Sequence, residues 1–253
     1  MFIFDAHNHL GYHTPTYLET RYPEELVAAM DESGISLALV QQNMGNTASL
    51  DELKKGHDFL EKSAKQYPKR FIPSTLVNPM IKGSVEECER RLKTGLFKGI
   101  KAWPMADYSI DDQLVDPVME LCRKYRTLLR IHSDLEDPRS TPYAIGDLAE
   151  RFPDIPVIIV HAPNERVLSP LVCVKVAKKH DNIYLETTSW CPSSQIEMAI
   201  KALGAERLIW GTDSPWTHYE IELAKLEVIQ LSERDKELYM GLNFANLLGV
   251  KPS

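Results

Sequence analysis

The sequence predicts an α/β fold, a (β/α)8 TIM barrel in a single domain over residues 1–253 with extra C-terminal helices. Three observations predict it. Eight short apolar or β-branched runs alternate with eight amphipathic stretches from end to end. No linker, repeat or low-complexity segment divides the chain. Several of the runs end in histidine or aspartate, as expected where strand ends of one polarity meet at one mouth. A doubly wound open sheet is the alternative. It would usually need fewer strands, and no glycine-rich phosphate loop follows the first run, where His7-Asn8-His9-Leu10-Gly11 stands instead.

The elements follow in order. Phe2-Ile3-Phe4 opens a strand over 2–6, and a helix over 24–33 stops at Gly34. A strand over 35–41 leads to a helix over 49–67. There Leu50, Leu53, His57, Leu60 and Ala64 form one stripe at the helical period, and Pro68 ends it. Strands over 71–77, 97–102 and 127–132 alternate with helices over 83–94, 112–125 and 142–152, the last closed by Pro153. Strands over 156–160, 182–186 and 207–211 alternate with helices over 169–180, 193–203 and 217–229. Two short helices near 233–240 and 243–248 finish the chain.

Composition narrows the function. A net charge of −7 and the absence of any basic block argue against nucleic acid or an anionic membrane as partner. No apolar run approaches the length that spans a bilayer. The start of the chain lacks the basic-then-apolar layout of a secretory signal. The four cysteines are scattered without paired spacing, which fits reduced thiols and a cytoplasmic setting.

The chemistry sits at the strand ends. His7 and His9 close the first run, His132 ends Leu128-Leu129-Arg130-Ile131-His132, and His161 ends Val157-Ile158-Ile159-Val160-His161. Asp213 follows Leu208-Ile209-Trp210-Gly211-Thr212. A lone histidine at a strand end is more often a packed core or loop residue. Imidazole and carboxylate types at four strand ends are what a divalent metal needs. Strand alternation puts Asp5, His7 and His9 on one face, expected inward, with Phe2, Phe4 and Ala6 toward the helices. Asp5 and Arg130 then lie one rung below the ligands. Each is expected to be paired inside the barrel or to a group behind a ligand, because an unpaired buried charge is costly.

The ordered motifs resemble the amidohydrolase superfamily, and its "amidohydrolase 2" branch with aminocarboxymuconate semialdehyde decarboxylase-like enzymes in particular. The matching segments are Phe4-Asp5-Ala6-His7-Asn8-His9, Lys98-Gly99-Ile100-Lys101, Arg151-Phe152-Pro153-Asp154 leading to His161-Ala162, Trp210-Gly211-Thr212-Asp213-Ser214-Pro215, and Asn243-Phe244-Ala245-Asn246-Leu247-Leu248-Gly249. The resemblance implies a barrel and one divalent ion, commonly zinc. His7, His9, His132 and Asp213 would hold the ion. His161 would act beside it as general base, electrostatic partner or further ligand, and Asp213 would also accept a proton. A second metal is the alternative, bridged by a carboxylated Lys101 as in some binuclear members; otherwise Lys101 orients substrate or pairs with a carboxylate. Trp103 stands where many relatives of the branch carry a histidine.

The resemblance implies hydrolase or decarboxylase chemistry. Hydrolysis of a C–N or C–O bond in a small amide, lactone or ester is the first expectation, by a water whose pKa the ion lowers from about 15.7 to about 7. Decarboxylation of a small aromatic or unsaturated acid is the alternative, and a non-catalytic metal-binding barrel the third. The strand-to-helix loops carry aromatics with a few polar groups, including Tyr12, Tyr17, Tyr22, Gln42, Met105, Tyr108 and Trp216. They fit a small flat or cyclic molecule, with Trp103, Arg21, Arg139 and His218 as substrate-binding candidates and the arginines as carboxylate readers. His13 is a further loop candidate. His57 and His180 are expected at the surface or in helix packing, and Cys191 as a plain buried thiol. A homodimer is expected from the family.

Overall fold

The computed structural model describes residues 1–11, 22–42, 49–104, 108–161 and 168–252. Strands and helices alternate as β1 (Phe4–His9), α1 (Pro23–Glu32), β2 (Leu37–Gln41), α2 (Leu50–Gln66), β3 (Phe71–Pro73 with Thr75–Val77), α3 (Ser84–Leu92) and β4 (Ile100–Ala102). There follow a 3-10 turn (Gln113–Val115), α4 (Asp116–Tyr125), β5 (Leu129–His132), α5 (Pro142–Arg151), β6 (Val157–Val160) and α6 (Leu168–Ala177). The barrel ends with β7 (Ile183–Glu186), α7 (Ser194–Leu203), β8 (Leu208–Ile209) and α8 (Tyr219–Val228). After it come α9 (Glu233–Glu237), a π-helical turn (Leu238–Leu242) and α10 (Asn243–Leu248).

Local chemistry explains the boundaries. Ser49 caps α2: Glu52 N–H donates to its hydroxyl at 3.3 Å, while Ser49 N–H donates to the Glu52 carboxylate at 2.7 Å. Thr141 caps α5 by accepting from Ala144 N–H at 3.2 Å, with Pro142 in the first helical turn. The third strand breaks beside Pro73, which has no N–H for the ladder. Pairing resumes at once, since Ser74 N–H reaches Val40 O at 2.9 Å and Thr75 N–H reaches Gly99 O at 3.3 Å.

Every strand pair is parallel, in the order β1-β2-β3 and then β3-β4-β5-β6-β7-β8. The last strand meets the first through Ala6 N–H to Trp210 O at 3.3 Å and His9 N–H to Ser214 O at 2.8 Å. The sheet is therefore a (β/α)8 barrel. Ala38, Val40, Ile131, Ile159 and Leu185 pack outward against the helices. Phe4, Leu37, Leu39, Leu128, Ile158 and Ile209 form a second cluster with Phe244 and Leu248 of α10.

The C-terminal segment serves the seam between β8 and β1. Trp210 N–H donates to Tyr239 O at 3.1 Å, and Asn243 Nδ2 donates to Ala205 O and Leu208 O, both at 2.8 Å. Gly241 permits the contact: a Cβ there would lie 2.9 Å from Phe4 N and 3.0 Å from Phe2 O.

One expectation of facing is overturned. β1 pairs Phe4 with Leu37 and Asp5 with Ala38, but then Asn8 with Val40 and His9 with Gln41. The strand thus holds one extra residue between Asp5 and Asn8, a bulge that exchanges the two faces. Phe4 shares a face with Leu37 and packs with the interior cluster, its ring 4.9 Å from Phe244. Asp5 takes the face of Ala38, toward the helices, and His9 that of Gln41. No helix among the described residues is long and apolar enough to cross a membrane.

Candidate metal centre

Every strand of the barrel runs the same way, so the ends of β1, β2, β4, β5, β6, β7 and β8 open on one mouth. His7 and His9 arrive from the bulged end of β1. Asp213 and His161 follow β8 and β6 with φ of 56° and 41°. Non-glycine residues adopt this left-handed conformation only where the surroundings impose it, and such residues cluster at functional sites.

His7 Nε2 lies 3.0 Å and His9 Nε2 2.8 Å from the same Asp213 Oδ1. Among the described residues these three side chains are the group whose ligand atoms all lie within 4.8 Å of one another. Gln41 Nε2, at the end of β2, stands 3.3 Å and 3.4 Å from the two imidazole nitrogens. Behind His7, its Nδ1 faces Glu186 Oε2 at 3.3 Å, so the Nδ1–H tautomer donates to the carboxylate and turns the Nε2 lone pair inward. Glu186 is itself held: Oε2 accepts His161 N–H at 3.0 Å, and Oε1 accepts Thr188 N–H at 2.7 Å and the Thr188 hydroxyl. Two imidazoles and a carboxylate, one imidazole oriented from behind by a buried carboxylate, fit a divalent ion.

Glycine at 211 makes the Glu186–His7 approach feasible. A Cβ there would lie 2.7 Å from Glu186 Oε1 and 3.1 Å from His7 Cβ. On the outer face of the bulge, Asp5 Oδ1 accepts His7 N–H at 2.9 Å and Thr212 N–H at 3.0 Å. Its Oδ2 accepts the Thr212 hydroxyl at 2.6 Å and the Asn8 amide. Asp5 thus ties the first strand to the last one residue before Asp213.

Burial dominates the electrostatics. It holds His7 and His161 well below the ordinary imidazole value and lowers His132 to about 3, with Lys101 among the further causes for each. All three are neutral imidazoles near pH 7. Burial and the neighbouring Arg130 lower the Lys101 ammonium to about 7, against attraction from Asp213 and Glu186. Burial raises Glu186 to about 7, against its hydrogen bonds from Thr188 and His161.

The other predicted residues are distributed around this centre. His132 lies outside the three-residue group. Its ring stands 4.5 Å from that of His161 and 5.3 Å from that of Trp103. His161 stacks on His7 at 5.9 Å, and its buried Nδ1 has no hydrogen-bond partner among the described residues. Lys101 projects inward from β4, its Nζ also without a hydrogen-bond partner among the described residues. The described residues supply no second ligand group beside Lys101. Arg139 is engaged by Asp137, Nε to Oδ1 at 2.7 Å and Nη2 to Oδ2 at 2.9 Å. His218 is exposed at the start of α8. Arg21, His13, Tyr12, Tyr17 and Met105 lie outside the described residues.

Three expectations need correction. Asp5 is paired, but on the helix-facing side of β1, because of the bulge. Arg130 is only partly paired: Nη1 donates to Gln41 Oε1 at 2.8 Å, while Nε and Nη2 have no hydrogen-bond partner among the described residues. Cys191 is exposed rather than buried, since it falls in the turn after β7 and not on a packed face. His57 is a packing residue, accepting Leu76 N–H at 3.0 Å and facing Glu87 at 3.2 Å. Sequence reading missed Glu186 and Gln41. Both close a strand, the position that drew attention to the histidines, so the signal was present.

Comparison with known proteins identifies the family and the fold. Residues 4–250 match the sequence model of the amidohydrolase family designated Amidohydro_2. A search of curated proteins finds no match. Among solved structures, 5-carboxyvanillate decarboxylase from Sphingomonas paucimobilis aligns with a TM-score of 0.78 at 13% identity, covering 99% of each chain. The 2,6-dihydroxybenzoate decarboxylase from Rhizobium aligns at 0.79 and 13%, covering 98% of each. A dihydroxybenzoic acid decarboxylase from Polaromonas, holding manganese and 2-nitroresorcinol, aligns at 0.78 and 16%, covering 98% of this chain and 97% of that one. At such identities the likeness establishes the fold.

Proposed function

The chain belongs to the amidohydrolase family, whose sequence model matches residues 4–250, and from that premise we propose that it is a metal-dependent decarboxylase of a small aromatic acid. The observation that carries the reading is the convergence of His7, His9 and Asp213 at the barrel mouth, with the neutral imidazole of His161 stacked beside them. The three solved structures compared above are named as decarboxylases of hydroxylated benzoic acids, and one of these three is described with manganese. That favours decarboxylation over hydrolysis of an amide, ester or lactone, and manganese becomes as good a candidate as zinc.

His7, His9 and Asp213 would hold the ion, which when bound supplies a Lewis acid that draws electron density from the substrate's oxygens. The chain's own groups supply the rest. Glu186 keeps His7 in one tautomer and orientation. Trp103 and His132 provide flat walls, their rings tilted by 48° at 5.3 Å, against which an aromatic ring can lie. His161 is the proton carrier. Its backbone N–H is fixed on Glu186, while Nδ1 is unbonded. Burial and the neighbouring positive groups keep the imidazole neutral in the free protein. An arriving carboxylate offsets that positive field, so the imidazole can take up a proton and deliver it to the carbon that carbon dioxide leaves.

The test offers the metal-loaded protein carboxyl-labelled hydroxybenzoates in parallel with lactones, esters and amides of similar size. Labelled carbon dioxide, released with the metal and lost on chelation, is the expected result. Turnover confined to the neutral panel would replace this reading with hydrolysis.

A further inference from the structure

Buried cationic donors at the barrel mouth lack hydrogen-bond partners among the described residues. Lys101 and Arg130 are register partners on β4 and β5, 4% and 0% exposed. Lys101 Nζ, Trp103 Nε1, and Arg130 Nε and Nη2 are buried without hydrogen-bond partners among the described residues. Arg130 makes its one bond to Gln41, which is neutral. All of these groups donate and none can accept. The neighbouring carboxylates attract these cations through space, Asp213 and Glu186 acting on both and Asp5 on Arg130. They make their hydrogen bonds elsewhere: Asp213 with His7 and His9, Glu186 with His7, His161 N–H and Thr188, and Asp5 with His7 N–H and Thr212. A divalent ion on His7, His9 and Asp213 would add to the same positive field.

Unpaired buried donors of this kind are costly in a folded protein and persist where a ligand answers them. The missing partner must be rich in acceptors, and a negative charge on it suits a mouth where a divalent ion would join Lys101 and Arg130. A flat partner suits the aromatic surface beside them, where the Trp103 indole packs 5.3 Å from the His132 ring. We propose that Lys101 and Trp103 form a carboxylate-receiving subsite, with Arg130 as the charge behind it, so that this mouth takes small planar acids in preference to their neutral amides or esters. The assignment deepens the decarboxylase reading and rests on it for the identity of the mouth as the substrate site. It also gives β4 the task of carboxylate recognition that the sequence suggested for Arg139, whose fork Asp137 already fills.

The test titrates benzoate and its neutral isostere benzamide into the protein as purified, near pH 6, below the value of about 7 to which burial lowers the Lys101 ammonium. Binding is read by calorimetry and by tryptophan fluorescence. Benzoate is expected to bind roughly tenfold or more tightly than benzamide. Lys101→Met should abolish that preference at unchanged metal content, and Lys101→Arg should retain part of it. Trp103→Phe should weaken benzoate more than benzamide. Lys101→Met should melt no lower than the parent, because it removes a buried charge with no hydrogen-bond partner among the described residues.

Benzoate binding no tighter than benzamide, with absence of binding by either included, overturns the proposal. So does a preference that survives Lys101→Met, or a Lys101→Met protein that fails to fold. A carboxylated Lys101 would be anionic and would reverse the preference, which also overturns it. No turnover enters these titrations. A protein that prefers benzoate but releases no carbon dioxide would refute the decarboxylase reading alone, and the converse would refute the subsite alone.

Discussion

Glu186 and His7 come from β7 and β1, 179 residues apart, and meet with Oε2 3.3 Å from Nδ1. The carboxylate fixes which imidazole nitrogen faces the centre, and it is fixed in turn by Thr188 and the His161 backbone. Partners of this kind typically contribute 10–100-fold to metal affinity. Glu186→Gln should therefore weaken metal binding by about that factor in chelator competition. An unchanged affinity would reduce Glu186 to a packing residue.

Metal retention and proton transfer should separate by residue. Asp213→Asn, which alters the carboxylate shared by His7 and His9, should lose most of its bound metal on dialysis. His161→Asn should keep its metal yet lose roughly 10²–10⁴-fold in turnover, the usual contribution of a positioned proton carrier. Elemental analysis beside rate measurement checks both. Metal loss in His161→Asn would make that residue a ligand.

Gly211→Ala places a methyl group 2.7 Å from Glu186 Oε1 and 3.1 Å from His7 Cβ. The carboxylate must move away from the imidazole it orients. We expect weaker metal binding together with a stability loss of about 1–3 kcal/mol, the usual cost of overpacking. Calorimetric melting and chelator competition on the same sample measure both.

Away from the mouth, Glu87 joins α3 to α2 through a buried network. Its carboxylate accepts from Arg91 Nε and Arg90 Nε, both at 2.7 Å, and faces His57 Nδ1 at 3.2 Å. Burial alone would raise its pKa, but the bonds from His57, Arg90 and Arg91 outweigh it and hold the group far below 4.5. A depressed carboxylate contributes stability that is present above its unfolded value and lost as pH falls through the folded one. Glu87→Gln should thus cost about 3 kcal/mol at pH 7. That difference should shrink progressively below about pH 4.5. Chemical denaturation of both proteins across this range gives the comparison, and a pH-independent difference would contradict it.

Much of this was legible in the sequence because the signals are local. Strand and helix periods gave the order of the barrel. His7, His9, His161 and Asp213 all stand where a run of apolar residues ends, and the barrel's parallel order brings such ends together. The bulge was not legible: Asp5-Ala6-His7-Asn8-His9 alternates as a regular strand would, and the extra residue appears only in the pairing with β2. That one step carried Asp5 to the helix side and Phe4 to the interior. Glu186 closes Ile183-Tyr184-Leu185 at the same kind of position as the histidines, but nothing near it in sequence points to its partner His7, 179 residues away. The partial pairing of Arg130 depends on Gln41, 89 residues away, and no spacing rule connects them.

The central claim is that His7, His9 and Asp213 hold a divalent ion. Elemental analysis by mass spectrometry, on protein purified without added metal or an affinity tag, tests it most directly. Close to one equivalent of a divalent metal is expected, and its loss in Asp213→Asn. Protein that holds no metal and takes none up on reconstitution would contradict it.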